Sequence, residues 1–322
     1  MSSVLKIGTR DSQLAVWQAS LVKDELAKLG VNSELVYIKS DGDIDLVTPI
    51  YAMNVQGVFT KALDAALLSK RIDIAVHSMK DVPTQLAHGI TQAAVLPRAS
   101  YKDIFVYKNK EIVDRLQLAE PSYVHSLEDG DEHAILATSS VRRRAQWLNR
   151  YPGHTIENLR GNVNTRLRKV EESHWDGAIF AAAGLERINV RPGNSIELNW
   201  MLPAPAQGAI MVVCREEDVP AKKACAPLND EATAVCAKLE RDFLKTLMGG
   251  CSTPISALAE IKDGVLHFKG SIFSTDGKQK ADIEKSIEIN NINTVNFGVD
   301  CATEVLQKGG AHIVQSIRNA AK

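Results

Sequence analysis

The chain is poor in several things, and each shortage excludes something. Aromatic residues make up only 5% of its 322 residues, too few for the aromatic-studded basic surface on which nucleic-acid bases stack. Neither sign of charge is in excess: 38 Lys plus Arg face 39 Asp plus Glu, for a formal net charge of −1. No global field therefore draws the chain to nucleic acid or to an acidic membrane surface, and any anion site has to come from local clustering. No apolar run approaches the roughly 20 residues that a membrane span needs. The opening stretch Val4-Leu5-Lys6-Ile7-Gly8-Thr9-Arg10 is broken by two cations and leads to no small-residue cleavage site, so it does not read as a secretion signal. The expected location is cytoplasmic.

Cysteine is scarce and unpaired in pattern. Five occur, all from residue 214 onward: Cys214, Cys225, Cys236, Cys251 and Cys301. There is no C-x-x-C pair, and the eight histidines show no ligand spacing, so no metal site is expected. In a reducing compartment a disulfide framework is not expected either. Four of the five read as buried, inert thiols. Cys251 differs, because Gly249-Gly250 precede it and Ser252-Thr253-Pro254 follow. That context suggests an irregular loop where a thiolate serves as nucleophile or attachment point. The residues alone leave this open against an ordinary packed loop cysteine.

What is present is a globular balance, 45% apolar and 24% charged, in a chain long enough for two or three domains. Strands are expected at Val4 to Thr9, Glu34 to Ile38 and Ile72 to His77, with helices after the first strand and over Phe59 to Leu68. This alternation implies a mostly parallel sheet flanked by helices. A second unit of the same kind begins near Asp103, with strands at Ile135 to Ala137 and Gly177 to Ala181. Thr138-Ser139-Ser140 caps a helix carrying Arg142 to Leu148, a further helix spans Asn162 to Glu172, and Ala183 to Arg187 reads as a turn. Pro203-Ala204-Pro205-Ala206-Gln207-Gly208 precedes an apolar strand at Ala209 to Val213, as in a chain crossing between domains. Beyond Pro220 come one amphipathic helix over 228–248, short strands turning at Asp263-Gly264 and Asp276-Gly277, and a helix around Ala302 to Leu306. That is a small α+β domain. The expected division is 1–98 with about 203–220, then 99–202, then 221–322.

Three constellations bear on chemistry. Arginines gather at strand ends and helix starts: Arg10, Arg142, Arg143, Arg144, Arg160, Arg166, Arg168 and Arg187. A guanidinium fork suits carboxylate or phosphate, and open α/β sheets bind ligands at that edge. Taken singly, each also reads as a solvated helix face. Asp81 follows Lys80 at a strand end and precedes Val82-Pro83, where the backbone is extended. A carboxylate held among cations relays protons or stabilises a developing cation, or it simply pairs with Lys80. His77 is a second acid–base candidate or a structural histidine. Cys251 is the third constellation.

At these residues the chain resembles the porphobilinogen deaminase (hydroxymethylbilane synthase) family. The resemblance rests on Ile7-Gly8-Thr9-Arg10-Asp11-Ser12-Gln13-Leu14-Ala15, on His77-Ser78-Met79-Lys80-Asp81-Val82-Pro83, and on Thr138-Ser139-Ser140-Val141-Arg142-Arg143. Leu159-Arg160-Gly161-Asn162-Val163, Ala183 to Arg187 and Gly249-Gly250-Cys251 follow in the family's order. It covers roughly the first 260 residues and implies an α/β fold of three domains. The first two are periplasmic-binding-protein-like, with mostly parallel sheets flanked by helices around a cleft, and a small α+β C-terminal domain follows.

The resemblance also implies a transferase of tetrapyrrole biosynthesis that joins four porphobilinogen molecules with loss of ammonia. Its dipyrromethane cofactor is held by a thioether to Cys251, and Asp81 is the catalytic carboxylate. Lys80, Ser140, Arg142, Arg143 and Arg166 become cofactor ligands, while Arg10, Ser12, Arg160, Arg187 and Gln207 become substrate-side ligands. The implied partner is the small-molecule substrate alone, with neither nucleic acid nor membrane, and the implied state is a monomer. Gln56, Ala62, Ala206 and Val213 depart from the family's usual Lys, Glu, Gly and Glu. They bear on the loop before the Phe59-Thr60-Lys61 stretch and on turnover. A non-catalytic small-anion binder is the alternative from another class, but it gives Gly249-Gly250-Cys251 no purpose. A thiol-redox protein lacks a resolving cysteine near Cys251.

Overall fold

A computed structural model of the chain describes residues 4–39, 60–116, 133–247, 253–289 and 294–320. Its contacts divide these into two units, one of residues 4–39, 60–99 and 207–235, the other of the remainder.

In the first unit, β1 (Leu5–Thr9), β2 (Ser33–Tyr37), β3 (Ile74–Ser78), β4 (Ile90–Val95) and β10 (Ile210–Arg215) form a sheet in the order β2-β1-β3-β10-β4. β1 runs parallel to β2 and β3, whereas β10 is antiparallel to both β3 and β4. Four strands therefore share one direction and β10 alone opposes them, which agrees with the mostly parallel sheet expected. Such strands are covered on both faces, and Ile74, Ala75 and Val76 are accordingly all buried. Helix α1 (Gln13–Lys28) lays Ala19, Val22 and Leu26 on Ile7, Ile74 and Val76. Helix α2 (Lys61–Leu68) crosses β1 closely: a Cβ at Gly8 would stand 2.2 Å from Ile72 Cδ1 and 3.1 Å from Leu63 Cδ2. Any larger residue here would have to push the Ile72 and Leu63 side-chain tips aside.

The second unit repeats the pattern. β5 (Asp103–Tyr107), β6 (Ile135–Ala137), β7 (Thr155–Glu157), β8 (Gly177–Ala181) and β9 (Ser195–Glu197) are ordered β7-β6-β8-β5-β9. β6 is parallel to β7 and β8, and β5 is antiparallel to β8 and β9. Again one strand in five opposes the rest. After β5 comes the short helix α3 (Glu111–Arg115), and after β6 comes α4 (Val141–Arg150). α4 packs Trp147 between Phe105 and Tyr151, with ring centroids 5.5 and 4.9 Å away. α5 (Val163–Glu172) starts at Asn162, whose side chain accepts from Thr165 N at 2.9 Å, as the motif predicts. The stretch read as a turn at Ala183 to Arg187 is instead mostly a short helix, α6 (Ala182–Glu186).

Further along, α7 (Val219–Cys225) is a helix that periodicity did not reveal. Asp218 caps it, accepting from Ala221 N at 3.0 Å. α8 (Glu231–Thr246) occupies most of the 228–248 stretch. In the second unit, β11 (Ile255–Lys262), β12 (Val265–Phe273) and β13 (Lys280–Glu288) form an antiparallel sheet. Its first turn is Asp263-Gly264, both with positive φ (51° and 77°), which is the geometry a two-residue hairpin demands. Phe243 of α8 fills the space over Gly270, and α9 (Phe297–Val305) buries Cys301 and Ala302. α10 (Ala311–Ala320) follows.

Candidate active-site residues

Every sequence-derived site residue that is described lies near one edge of its own sheet. In the first unit, Arg10 follows the C-terminal end of β1, and Lys80 and Asp81 follow the C-terminal end of its parallel neighbour β3. β10 enters from the opposite direction with Ile210 opposite Ser78, which brings Gln207 to the same edge. Lys80 Nζ donates to Gln207 Oε1 at 3.3 Å, and the buried Gln207 accepts from Arg98 Nε on its backbone oxygen at 2.8 Å. Ser78 Oγ is held by Gln18 Nε2 of α1 at 2.9 Å. Ser12 is the N-cap of α1, accepting from Ala15 N at 3.4 Å.

Lys80 and Asp81 sit on one turn of 3-10 helix, Met79–Asp81, after which Val82 is extended (φ −85°, ψ 129°). The proline at 83 explains that break. The half-buried Asp81 carboxylate makes no hydrogen bond or ion pair with any described residue, so it does not pair with Lys80. His77 is different. It is 6% exposed, its Nε2 meets no hydrogen-bond partner among the described residues, and burial, aided by the Arg10 charge, pushes its pKa down to about 4. Near neutral pH it is an uncharged imidazole with no proton to spare for acid catalysis.

The second unit uses the same edge. Ser140, Arg142 and Arg143 follow β6, Arg160 follows β7, and Arg187 follows β8, three parallel neighbours. Ser140 caps α4 by accepting from Arg143 N at 3.4 Å. Arg160 is buried and its carbonyl accepts from Lys169 Nζ at 3.2 Å. Arg166 Nε donates to Gly161 O at 2.7 Å, so the Leu159 to Arg166 stretch folds back on itself. Arg187 closes α6, and burial lowers its pKa to about 10, with Glu186 opposing the shift.

Arg142 and Arg143 turn inward. Both are more than nine-tenths buried and converge on Asp103, which is wholly buried. Sequence reasoning missed Asp103. The available signal was an acid opening the otherwise apolar run Ile104-Phe105-Val106. The flanking guanidinium groups hold its carboxyl well below the usual range, outweighing burial, which alone would raise it. A second missed acid is Glu240, also wholly buried, whose two oxygens accept from Ala206 N (2.6 Å) and Ala259 N (2.7 Å).

Of the departures, Val213 is buried at a bulge in β10, and Ala62 lies on α2. Ala206 has φ +61°. Gln56, Cys251 and its two preceding glycines lie outside the described residues. The other four cysteines are buried, and burial raises the Cys225 thiol to about 12 and that of Cys301 to about 11. Among the described residues no group of His, Cys, Asp and Glu could hold a metal ion, and no helix is long and apolar enough to cross a membrane.

Two family models match the chain. "Porphobilinogen deaminase, dipyromethane cofactor binding domain" covers residues 5–223, and "Porphobilinogen deaminase, C-terminal domain" covers 234–307. The porphobilinogen deaminase of Acidithiobacillus ferrooxidans is 36% identical over 324 residues, 99% of this chain and 100% of its own. That of Chlorobium phaeobacteroides is 36% identical over 326 residues, 99% of each chain. Among solved structures, the VFT2 domain of Bordetella pertussis BvgS aligns over 70% of this chain and 86% of its own at 14% identity. Its TM-score is 0.40.

Proposed function

The chain belongs to the porphobilinogen deaminase family, and on that premise we propose which of its residues carry the reaction. It is a transferase that joins four porphobilinogen molecules head to tail, releasing ammonia, on a dipyrromethane cofactor. When bound, that cofactor supplies the covalent primer to which each new pyrrole is added.

Cys251 is the proposed anchor. The assignment rests on Gly249-Gly250-Cys251 standing last in an ordered series of motifs, and on the buried, protonated state of Cys225 and Cys301, which suits neither for attachment. Charge is the test of whether the chain's residues fit the cofactor. Each pyrrole brings acetate and propionate groups, which demand cations. Arg142 Nε is a buried donor with no hydrogen-bond partner among the described residues, the kind of group that a ligand carboxylate satisfies. Lys80, Ser140, the pair Arg142 and Arg143, and Arg166 are proposed on the cofactor side. Arg10, Ser12, Arg160, Arg187 and Gln207 are proposed on the substrate side.

The observation that carries the chemistry is the Asp81 carboxylate. It is half-buried, unengaged by described residues, and placed on the strand-end turn beside Lys80. A carboxylate so placed stabilises positive charge that develops as ammonia leaves, and holds or returns the pyrrole proton. The imidazole of His77 is neutral near pH 7, its pKa lowered by burial and the Arg10 charge, so it is not proposed as the general acid. A cytoplasmic monomer, with the domain division 1–98 plus about 203–220, 99–202 and 221–322, completes the proposal. The buried thiols of Cys214, Cys225 and Cys301 agree with a reducing compartment.

Intact mass tests the anchor. The purified chain should exceed its sequence mass by two pyrrole units, and Cys251→Ser should lose that excess. An active chain of unmodified mass would sink the assignment. Asp81→Asn should keep the excess and lose turnover by about 10²-fold or more.

A further inference from the structure

Two cations and one anion meet in the interior of the second unit. Asp103 Oδ1 accepts from Arg143 Nε at 3.1 Å and from Arg143 Nη2 at 2.7 Å. Arg143 Nη1 donates to Ile179 O at 2.9 Å, so all three nitrogens of that guanidinium are engaged within the fold. Asp103 Oδ2 lies 2.7 Å from Arg142 Nη1, which also donates to Leu202 O at 2.7 Å. Arg142 Nε has no hydrogen-bond partner among the described residues. Among the described residues Asp103 is the only acid acting on Arg142, and the neighbouring Arg143 charge opposes it. Three charges, each more than nine-tenths buried, therefore sum to +1.

A net buried charge is costly, and a fold that only needed to be stable would pair it off. Here the excess stays on one side chain whose orientation is set from two directions. The strand pairing explains how. β5 opposes β8 with Asp103 facing Ala181, so its first residue reaches the edge where α4 begins.

We propose that Asp103 is a positioning residue: it engages Arg143 as an internal support and orients Arg142 alone toward one carboxylate of the cofactor. Of the two arginines placed on the cofactor side, only Arg142 then touches the cofactor, and Arg143 serves it indirectly through Asp103. Arg143 is a strut, and the uncompensated charge of the trio belongs to Arg142. The inference rests on the cofactor reading above.

The test uses the full chain as purified, with two readouts: the fraction of folded molecules carrying the two-pyrrole mass excess, and the thermal midpoint. Asp103→Asn keeps the shape and removes the charge that orients Arg142. The expected result is a loaded fraction below a tenth of wild type among molecules of native circular dichroism. Loading that is unchanged would make Asp103 merely structural, and loading that is raised would mean that net positive charge alone recruits the cofactor. Either overturns the proposal. If Asp103→Asn does not fold, Arg143→Lys takes its place. It keeps the charge but cannot hold Asp103 Oδ1 and Ile179 O together, so loading should again fall, and equal loading overturns the proposal. Absence of the mass excess in the wild-type chain would instead strike at the cofactor reading itself, so the two failures are distinguishable.

Discussion

Lys80 and Gln207 stand 127 residues apart in the chain and meet through a 3.3 Å hydrogen bond from Nζ to Oε1. The contact exists because β10 returns antiparallel beside β3, placing the residues before Ile210 against those after Ser78. Gln207→Leu removes the acceptor while keeping the volume. It should cost about 1 kcal/mol of stability and raise the KM for porphobilinogen several-fold, because Lys80 loses its tether. Gln207→Glu should restore both. Thermal midpoints and steady-state kinetics of the two variants decide the matter, and an unchanged Leu variant would make the contact incidental.

Ala206 carries a left-handed backbone, φ +61°, where relatives in the family resemblance commonly have glycine. That conformation costs an alanine roughly 1–2 kcal/mol, and glycine's extra chain entropy returns about 0.5–1 kcal/mol of any relief. Ala206→Gly should therefore stabilise the chain by about 0.5–1 kcal/mol net, raising the midpoint by about 2 °C. The same φ lets Ala206 N reach Glu240 Oε2, so the backbone turn itself should persist. A midpoint that stays level or drops would show that the local fold relieves the strain in another way.

His77 has a folded pKa of about 4, below its ordinary 6.5. The unfolded chain therefore takes up a proton that the folded chain refuses between those values. Its contribution to stability is complete above about pH 6.5 and is lost as the pH falls toward about 4, at up to ~1.4 kcal/mol per pH unit. Asp103, held far below the usual carboxylate range, keeps its charge throughout this window. The midpoint of the wild-type chain should decline from pH 6.5 to 4.5, and that of His77→Gln should decline less. Parallel curves for the two proteins would refute the assignment.

Much of the fold was legible in local patterns. The strands at 5–9, 74–78, 135–137 and 177–181 stand out as short apolar runs alternating with helical stretches. The N-caps Ser140 and Asn162 are readable because a short polar side chain precedes a helical stretch. α7 was not, since seven residues are too few to show a period, and neither was α6, where small residues mask one. In the candidate site, the arginines and Asp81 were readable by type and order. That Arg143 is spent on Asp103, and that His77 is a neutral buried imidazole, was not.

The sequence by itself determined the family, the α/β alternation and the catalogue of site residues, because these depend on local order and residue type. The tertiary structure alone decided which charges meet. In each five-stranded sheet a single opposing strand, β10 or β5, brings its first residues to the edge where the parallel strands end. Which acid or amide arrives there follows from strand register across more than a hundred residues in one case and about forty in the other. Burial then turns that arrival into chemistry, by stripping water from Asp103, Arg142 and His77 and leaving their partners to set their charge.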